Sequence, residues 1–261
     1  MNILDTIVAR KKIEVARLPD QPITGALLAE AMRGREVRPF TAALRSPKSS
    51  RIGLIAEVKK ASPSAGVICP DFDPVRIARA YQDAGADCLS VLTDVDFFQG
   101  SLQYLRDIRA AVSLPLLRKD FIIDPRQILE AIEAGADAIL LIVAILSDQQ
   151  LSNLHALATT AGLDVLVEVH DESEMQRALA LGAPLIGVNN RNLKTFTVDL
   201  STTAQLARHL PSSALLVAES GIRTSADVSL LAQAGARAIL VGETLMKHGN
   251  VREKVAELLA C

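Results

Sequence analysis

The chain has 261 residues, a formal net charge of −2 and an apolar fraction of 49%, which suits one large α/β unit that buries its own core. The near-neutral charge, an aromatic fraction of 3% and the absence of Trp argue against a nucleic-acid-binding surface, which needs basic patches and stacking aromatics. The three cysteines, Cys69, Cys88 and Cys261, lack the spacing of a disulfide framework or a zinc site.

The first 48 residues predict a helical extension. Apolar side chains from Ile7 to Leu18 recur on one face and predict an amphipathic helix over 4–18, and 25–33 predicts a second, short helix. We expect this extension to pack on one end of a domain formed by 49–261, so that 1–261 is a single domain. The N-terminus lacks the apolar core of a signal peptide and the longest apolar run, 138–146, is too short for a bilayer, which predicts a soluble, cytoplasmic protein.

A phrase of small residues around a glycine, followed by a β-branched apolar run, recurs four times in the rest of the chain. Its glycines, 50, 47 and 53 residues apart, are Gly85, Gly135, Gly182 and Gly235. Each phrase is typical of a helix end that leads into a buried parallel strand.

A second set of strands falls between these repeats, over 52–58, 114–120, 163–169 and 213–220. Helical stretches follow them, opening near Pro74, Pro125, Asp171 and Ser225. Eight alternating strand–helix units predict a (β/α)8 TIM barrel. An open doubly wound sheet is the alternative, although no GxGxxG motif supports it.

Polar side chains cluster at the predicted strand ends, where barrels of this kind place their chemistry. At least six of the eight strands end in ionisable or amide groups, which include Glu57, Lys59, Lys119, Glu168, His170, Asn189, Arg191, Glu219 and Glu243. Lys119 stands between apolar neighbours, so we expect a shifted pKa or an acidic partner such as Glu57 or Glu168. A Lys and a Glu that face each other across the mouth make an acid/base pair, with a structural ion pair as the alternative.

Two phrases after the seventh and eighth strands, ESGI (219–222) and VGET (241–244), predict a phosphate site, because small residues let backbone N–H groups approach an anion. The loop SPSAG (62–66) is either a substrate-gripping loop or a plain surface turn. The four histidines lack metal-ligand spacing, so we expect no metal, and we expect His170 to make local hydrogen bonds.

Seven phrases carry a family resemblance: IAEVKKASPSAG (55–66), VLTDVDFFQGS (91–101), LLRKDFIID (116–124), VEVHDE (167–172), IGVNNRNLKTF (186–196), VAESGI (217–222) and VGETLM (241–246). In order along essentially the whole chain, together with IVARKKIEVA near the N-terminus, they resemble the indole-3-glycerol-phosphate synthase family. The resemblance implies a carboxy-lyase of tryptophan biosynthesis. Its substrate would be 1-(2-carboxyphenylamino)-1-deoxyribulose 5-phosphate, with no cofactor and with other enzymes of the pathway as candidate partners.

Site roles follow from the same resemblance. It implies that Lys119 is the general acid of ring closure and that Glu168 transfers a proton during dehydration. It implies that Lys59 contacts substrate anions or protonates the departing hydroxyl, and that Glu57 orients the two lysines. It implies substrate-binding roles for Ser62, Phe98, Asn189, Arg191 and Glu219, and phosphate-binding roles for Ser220, Gly221, Gly242 and Glu243.

The chain departs from the family pattern at Ala65 and Asp96, where relatives often carry Lys, and both positions lie in rim loops. These departures bear on loop closure and substrate affinity more than on the chemistry. Three alternatives stay open: a Schiff-base aldolase, a phosphoribosyl isomerase, and a non-catalytic metabolite-binding barrel.

Overall fold

The computed structural model of the chain describes residues 3–48 and 52–260. Eight parallel strands close into a barrel, in which each strand pairs with the next along the chain and the last pairs with the first. These strands are β1 (Gly53–Val58), β4 (Cys88–Leu92), β5 (Leu116–Lys119), β6 (Ala138–Ile142), β7 (Asp164–Val169), β8 (Leu185–Asn189), β9 (Leu215–Glu219) and β10 (Ala238–Val241). The predicted (β/α)8 barrel is confirmed.

Helices follow the strands around the outside of this barrel. They are α4 (Pro74–Ala84), α5 (Leu102–Ala111), α6 (Pro125–Glu133), α7 (Asp148–Ala161), α8 (Glu172–Ala180), α9 (Ser201–Ala207), α10 (Ser225–Gln233), α11 (Glu243–Lys247) and α12 (Val251–Leu259), with a 3₁₀ turn over Val143–Ile145. Local signals set their bounds: Asp73 and Asp124 cap α4 and α6 just before a proline. Gly85 ends α4 in the left-handed conformation, with φ of 99°.

Side chains alternate along each strand between the barrel interior and the outer helices. Aliphatic residues such as Ile55, Leu117 and Leu166 fill the interior. The residues two positions further along β1, β5 and β7 share that inward face near the carboxyl ends: they are Glu57, Lys119 and Glu168. The strand pleat therefore aims polar groups from different strands at one mouth of the barrel.

The N-terminal segment comprises α1 (Ile3–Val15), α2 (Gly25–Met32) and α3 (Phe40–Arg45). On α1, the buried Lys11 ammonium lies 3.0 Å from Asp94 Oδ2 and 2.9 Å from Asp120 Oδ1, beyond the carboxyl ends of β4 and β5. On α3, Phe40 joins the interior apolar cluster from the amino end. The extension thus contacts both ends of the barrel, whereas the sequence predicted contact with one end only.

Several elements had no sequence prediction: α3, the 3₁₀ turn, the final helix α12, and a hairpin of β2 (Ala61–Ser62) and β3 (Gly66–Val67). Helix α3 has six residues and no side-chain cap at its start, so it carries few local signals. The boundary predicted at residue 49 and Cys261 lie outside the described residues, so that boundary stays a prediction. None of the described helices is long and apolar enough to cross a membrane.

Candidate active site

A cavity of about 540 Å³ opens at the carboxyl ends of the strands. All of the predicted site residues line it: Glu57, Lys59, Ser62, Phe98, Lys119, Glu168, Asn189, Arg191, Glu219, Ser220, Gly221, Gly242 and Glu243. They come from six strands or the loops that follow them and from the loop before α5, so closure of the barrel alone brings them together. The catalytic and binding roles that the family resemblance implies for these residues stay predictions.

Lys119 lines this cavity between two carboxylates. Its Nζ donates to Glu168 Oε2 at 2.6 Å and to Glu219 Oε2 at 3.1 Å. The lysine side chain is 13% exposed and the two glutamates are 3% and 2% exposed. Of the two partners expected from sequence, Glu168 is in contact with Lys119, whereas Glu57 pairs with Lys59 instead, at 2.6 Å between Oε2 and Nζ.

This shared cation leaves the two carboxylates in unlike states. Burial alone would lower the pKa of Lys119, but Glu168 and Glu219 raise it above its ordinary value. Burial, with the nearby charges of Glu168 and Glu57, raises the pKa of Glu219 to about 7. Burial acts in the same direction on Glu168, but Lys119 and His170 hold its pKa well below the usual range. This environment therefore favours the ionised form of Glu168, and it favours the protonated form of Glu219 more than in an ordinary glutamate.

Two glycines make room for these carboxylates. A Cβ at Gly187 would overlap Glu219 Oε1, and a Cβ at Gly242 would overlap Glu57 Oε2. Gly187 was not predicted as a site residue, although a glycine inside a buried strand is a signal of close approach by another group.

The loop after β8 completes the wall beside Glu168. Asn189 Nδ2 donates to Glu168 Oε1 at 3.3 Å, and the Arg191 N–H donates to Asn189 Oδ1 at 3.0 Å. The Arg191 guanidinium also lies 3.8 Å from Glu243 Oε2. Asn190, next to these residues, is buried away from the cavity and donates to the Glu219 carbonyl at 2.9 Å, so it has a structural role.

The loops after β9 and β10 form the predicted phosphate rim. Ser220 and Gly221 both adopt left-handed backbone, with φ of 64° and 80°, which turns the chain sharply at the cavity edge. Thr244 Oγ1 donates to the Ile222 carbonyl at 2.7 Å and ties the two loops together. The Glu243 carboxylate pairs with Lys247 at 2.6 Å, which lowers its pKa.

Aromatic and apolar side chains also line the cavity. Phe98 packs against Phe121, with ring centroids 6.1 Å apart and planes at 38°. Ser62 Oγ accepts from the Ala65 N–H at 3.2 Å within the hairpin loop.

The sequence missed the contribution of α1, from which Ile3, Leu4 and Ile7 reach the cavity. Nothing local in α1 indicates which end of the barrel it covers.

Within residues 3–48 and 52–260, no group of three or more His, Cys, Asp or Glu side chains is placed to hold a metal ion. The ionisable groups of the cavity instead form lysine–carboxylate pairs, an arrangement suited to proton transfer.

Comparison with known proteins decides the family. Residues 4–258 match the family model described as indole-3-glycerol phosphate synthase. The chain belongs to this family. It is 52% identical to the indole-3-glycerol phosphate synthase of Desulfotalea psychrophila over 98% of both chains, and 48% identical to that of Rhodopirellula baltica over 100% of both. It is also 57% identical to the synthase of Azospirillum brasilense over 83% of this chain and 82% of the relative.

Solved structures show a similar fold at low identity. A 3-hexulose-6-phosphate synthase from Salmonella typhimurium matches with a TM-score of 0.65 and 14% identity over 80% of this chain and 97% of its own. A thiamine phosphate pyrophosphorylase from Pyrococcus furiosus matches with a TM-score of 0.61 and 15% identity over 80% of this chain and 95% of its own. At such identities the likeness concerns the barrel fold alone.

Proposed function

We propose that the chain converts 1-(2-carboxyphenylamino)-1-deoxyribulose 5-phosphate into indole-3-glycerol phosphate, CO₂ and water. The observation that carries this proposal is the Lys119 ammonium between Glu168 and Glu219 on the wall of a cavity that also holds a second lysine–glutamate pair. Family membership supports the same reaction. The reaction makes other enzymes of tryptophan biosynthesis the candidate partners of this chain. We place the chain in the cytoplasm.

Substrate binding is assigned by matching each part of the molecule to the chemistry of one wall. The phosphate takes the rim of the β9 and β10 loops, formed by Ser220, Gly221, Gly242 and Glu243. Since the Glu243 carboxylate is paired with Lys247, its backbone N–H rather than its side chain serves the anion. Ser62 joins this phosphate rim from the loop after β1. The aromatic ring packs against Phe98, and Asn189, Arg191 and Glu219 hold the hydroxyl and ring groups.

Ring closure needs a proton for the ketone oxygen. The ring carbon that carries the carboxylate forms a bond to the ketone carbon, and Lys119 donates a proton to the oxygen as its negative charge develops. An alkoxide is a stronger base than a lysine amine, so the transfer is downhill even from a lysine with a raised pKa. CO₂ then leaves, and the electron pair of the broken C–C bond restores the aromatic ring.

Dehydration follows within the same site. The new hydroxyl leaves as water with a proton from one of the two lysines, while the ring nitrogen supplies electrons to the carbon that loses it. Glu168, ionised beside Lys119, takes the proton from the adjacent carbon, which completes the indole. Lys59, paired with Glu57, also provides positive charge for the substrate carboxylate.

The state of Lys119 disfavours an aldolase. A Schiff-base nucleophile has to be a neutral amine, whereas two buried carboxylates hold Lys119 protonated. A non-catalytic binding barrel does not need the buried charges of Lys119, Glu168 and Glu219 on its cavity wall, because even a paired buried ion pair is often no more stabilising than apolar residues of similar volume.

The test is indole fluorescence after the protein is mixed with the carboxyphenylamino-deoxyribulose phosphate. The chain has no Trp, so its own background is low. A rise in fluorescence with turnover is expected. A folded protein that gives no signal would refute the proposal, and trapping of an imine by borohydride would favour the aldolase.

A further inference from the structure

His170 follows β7 directly and links the catalytic strand to the helix behind it. Its Nδ1 lies 3.0 Å from Glu174 Oε2 on α8, and the same oxygen accepts the His170 backbone N–H at 2.9 Å. The other ring nitrogen, Nε2, lies 3.3 Å from Glu168 Oε1, an ion-pair contact without the geometry of a hydrogen bond. Asp171 caps α8 and accepts the Glu174 N–H at 2.9 Å, so the glutamate that holds the ring is itself fixed to the helix start.

This arrangement assigns a partner to each oxygen of Glu168. Oε2 accepts from Lys119, and Oε1 faces Asn189 Nδ2 and His170 Nε2, each at 3.3 Å. Rotation of the carboxylate would break contacts on both sides. The ring is 12% exposed, so solvent screens this contact weakly.

Glu219 shares Lys119 but lacks an equivalent support. Its Oε1 is buried without a hydrogen-bond partner among the described residues. The two carboxylates therefore share one cation and have similar burial. They differ in Asn189 and the His170 imidazole, which face only Glu168, and the imidazole is the ionisable group of the two. Glu168 and Glu174 raise the pKa of His170 to about 10, against the effect of burial, so the ring carries a positive charge at neutral pH.

We propose that His170, held by Glu174, is a positioning residue that keeps Glu168 rather than Glu219 ionised and oriented as the proton acceptor of dehydration. This inference rests on the proposed function, in which Glu168 takes that proton. His170 touches no substrate in this scheme and acts through Glu168 alone. Pairs of carboxylates with divergent environments are a general way to assign acid and base roles.

Other charged groups surround the ring and bear on any pH dependence. A smaller cavity of about 380 Å³ adjoins His170. The charged groups that line it besides Glu174 are Asp171 on the helix side and Arg191, Lys194 and Asp199 from the segment after β8. Glu168 and Glu174 are the two within ion-pair distance of the ring.

The test is the single-turnover rate of indole formation across pH. In His170→Gln we expect this rate to fall about tenfold or more, a part of the contribution of a positioned base, with KM within about threefold of wild type. Removal of a neighbouring cation raises the pKa of Glu168, so the acidic limb of the variant's pH profile should move to higher pH by about one unit or more. The matched control is His209→Gln, which removes a His–Glu pair (Nε2 to Glu172 Oε1, 3.4 Å) outside the site and is expected to change the rate less than about twofold.

A second pair of variants covers a loss of folding in His170→Gln. Glu174→Gln keeps an oxygen for the ring and should retain more activity than Glu174→Leu, which removes the acceptor. Combining Glu174→Leu with His170→Gln should cost little beyond His170→Gln alone, because both act through one contact. Unchanged rate and pH profile in His170→Gln, or equal activity in the two Glu174 variants, would overturn the inference while the proposed function stands. An inactive wild-type chain would overturn both.

Discussion

Lys119→Met tests the central group of the site. Methionine keeps an unbranched apolar chain of similar length but carries no proton to donate. Loss of a positioned general acid lowers turnover by roughly 10²–10⁴-fold. We expect the variant to fold, because Met occupies a similar volume at the end of β5.

The same change alters stability in a pH-dependent way. Without the ammonium, Glu168 still has the His170 cation, whereas Glu219, 2% exposed, has no other cation within ion-pair distance among the described residues. An uncompensated buried charge costs about 3–5 kcal/mol when it stays ionised. Protonation of Glu219, whose pKa is already raised to about 7 with Lys119 present, removes part of that cost. The penalty is therefore small at low pH and large at high pH.

Proton binding determines the direction in which the free energy of unfolding of the variant changes with pH. Unfolded glutamates ionise near pH ~4.3, and the folded variant holds the Glu219 proton to a higher pH. The folded state then binds more protons than the unfolded state, so the free energy of unfolding falls by up to about 1.4 kcal/mol for each pH unit across that window. The loss is complete once the pH exceeds the folded pKa.

Urea denaturation followed by circular dichroism at about pH 6 and about pH 9 measures this difference, and indole fluorescence measures turnover. Lys12→Met, an exposed position on α1, is the control and should leave both unchanged. Turnover within tenfold of wild type would refute the assigned acid role. A stability loss independent of pH would refute the account of the shared cation.

Three further predictions concern the frame of the site. Lys11→Met removes a buried cation between two buried aspartates and should lower the free energy of unfolding by about 3–5 kcal/mol. The control Lys12→Met should show no such loss, and a loss below about 1 kcal/mol in Lys11→Met would contradict the buried pairing. Gly187→Ala places a methyl group against the Glu219 carboxylate and should reduce turnover at least about tenfold. Gly249→Ala, with open space around it, should leave turnover unchanged. Equal activities of the two variants would show that the Glu219 carboxylate moves freely. Dialysis against EDTA should leave turnover unchanged, since lysines rather than a metal supply the acid, and a loss restored by a divalent cation would overturn that assignment.

Local sequence patterns determined the barrel and most of the rim. Glycines that end helices and continuous β-branched runs are short-range signals, and the period-2 alternation of a strand makes Glu57, Lys119 and Glu168 share a face with the aliphatic residue two positions earlier. The strand pleat accounts for these three residues, and the family resemblance supplied the loop residues. The cavity contains both sets.

Tertiary structure alone decided which groups touch. The sequence offered Glu57 or Glu168 as the partner of Lys119, and closure of the barrel places Glu168 and Glu219 there, with Glu57 on Lys59. The tertiary structure also places α1 beside the mouth of the barrel, where Lys11 contacts Asp120. It brings Glu219 next to Gly187 and His170 next to Glu168. These contacts join residues from different strands and helices, so their geometry depends on barrel register and helix packing, which no local pattern encodes.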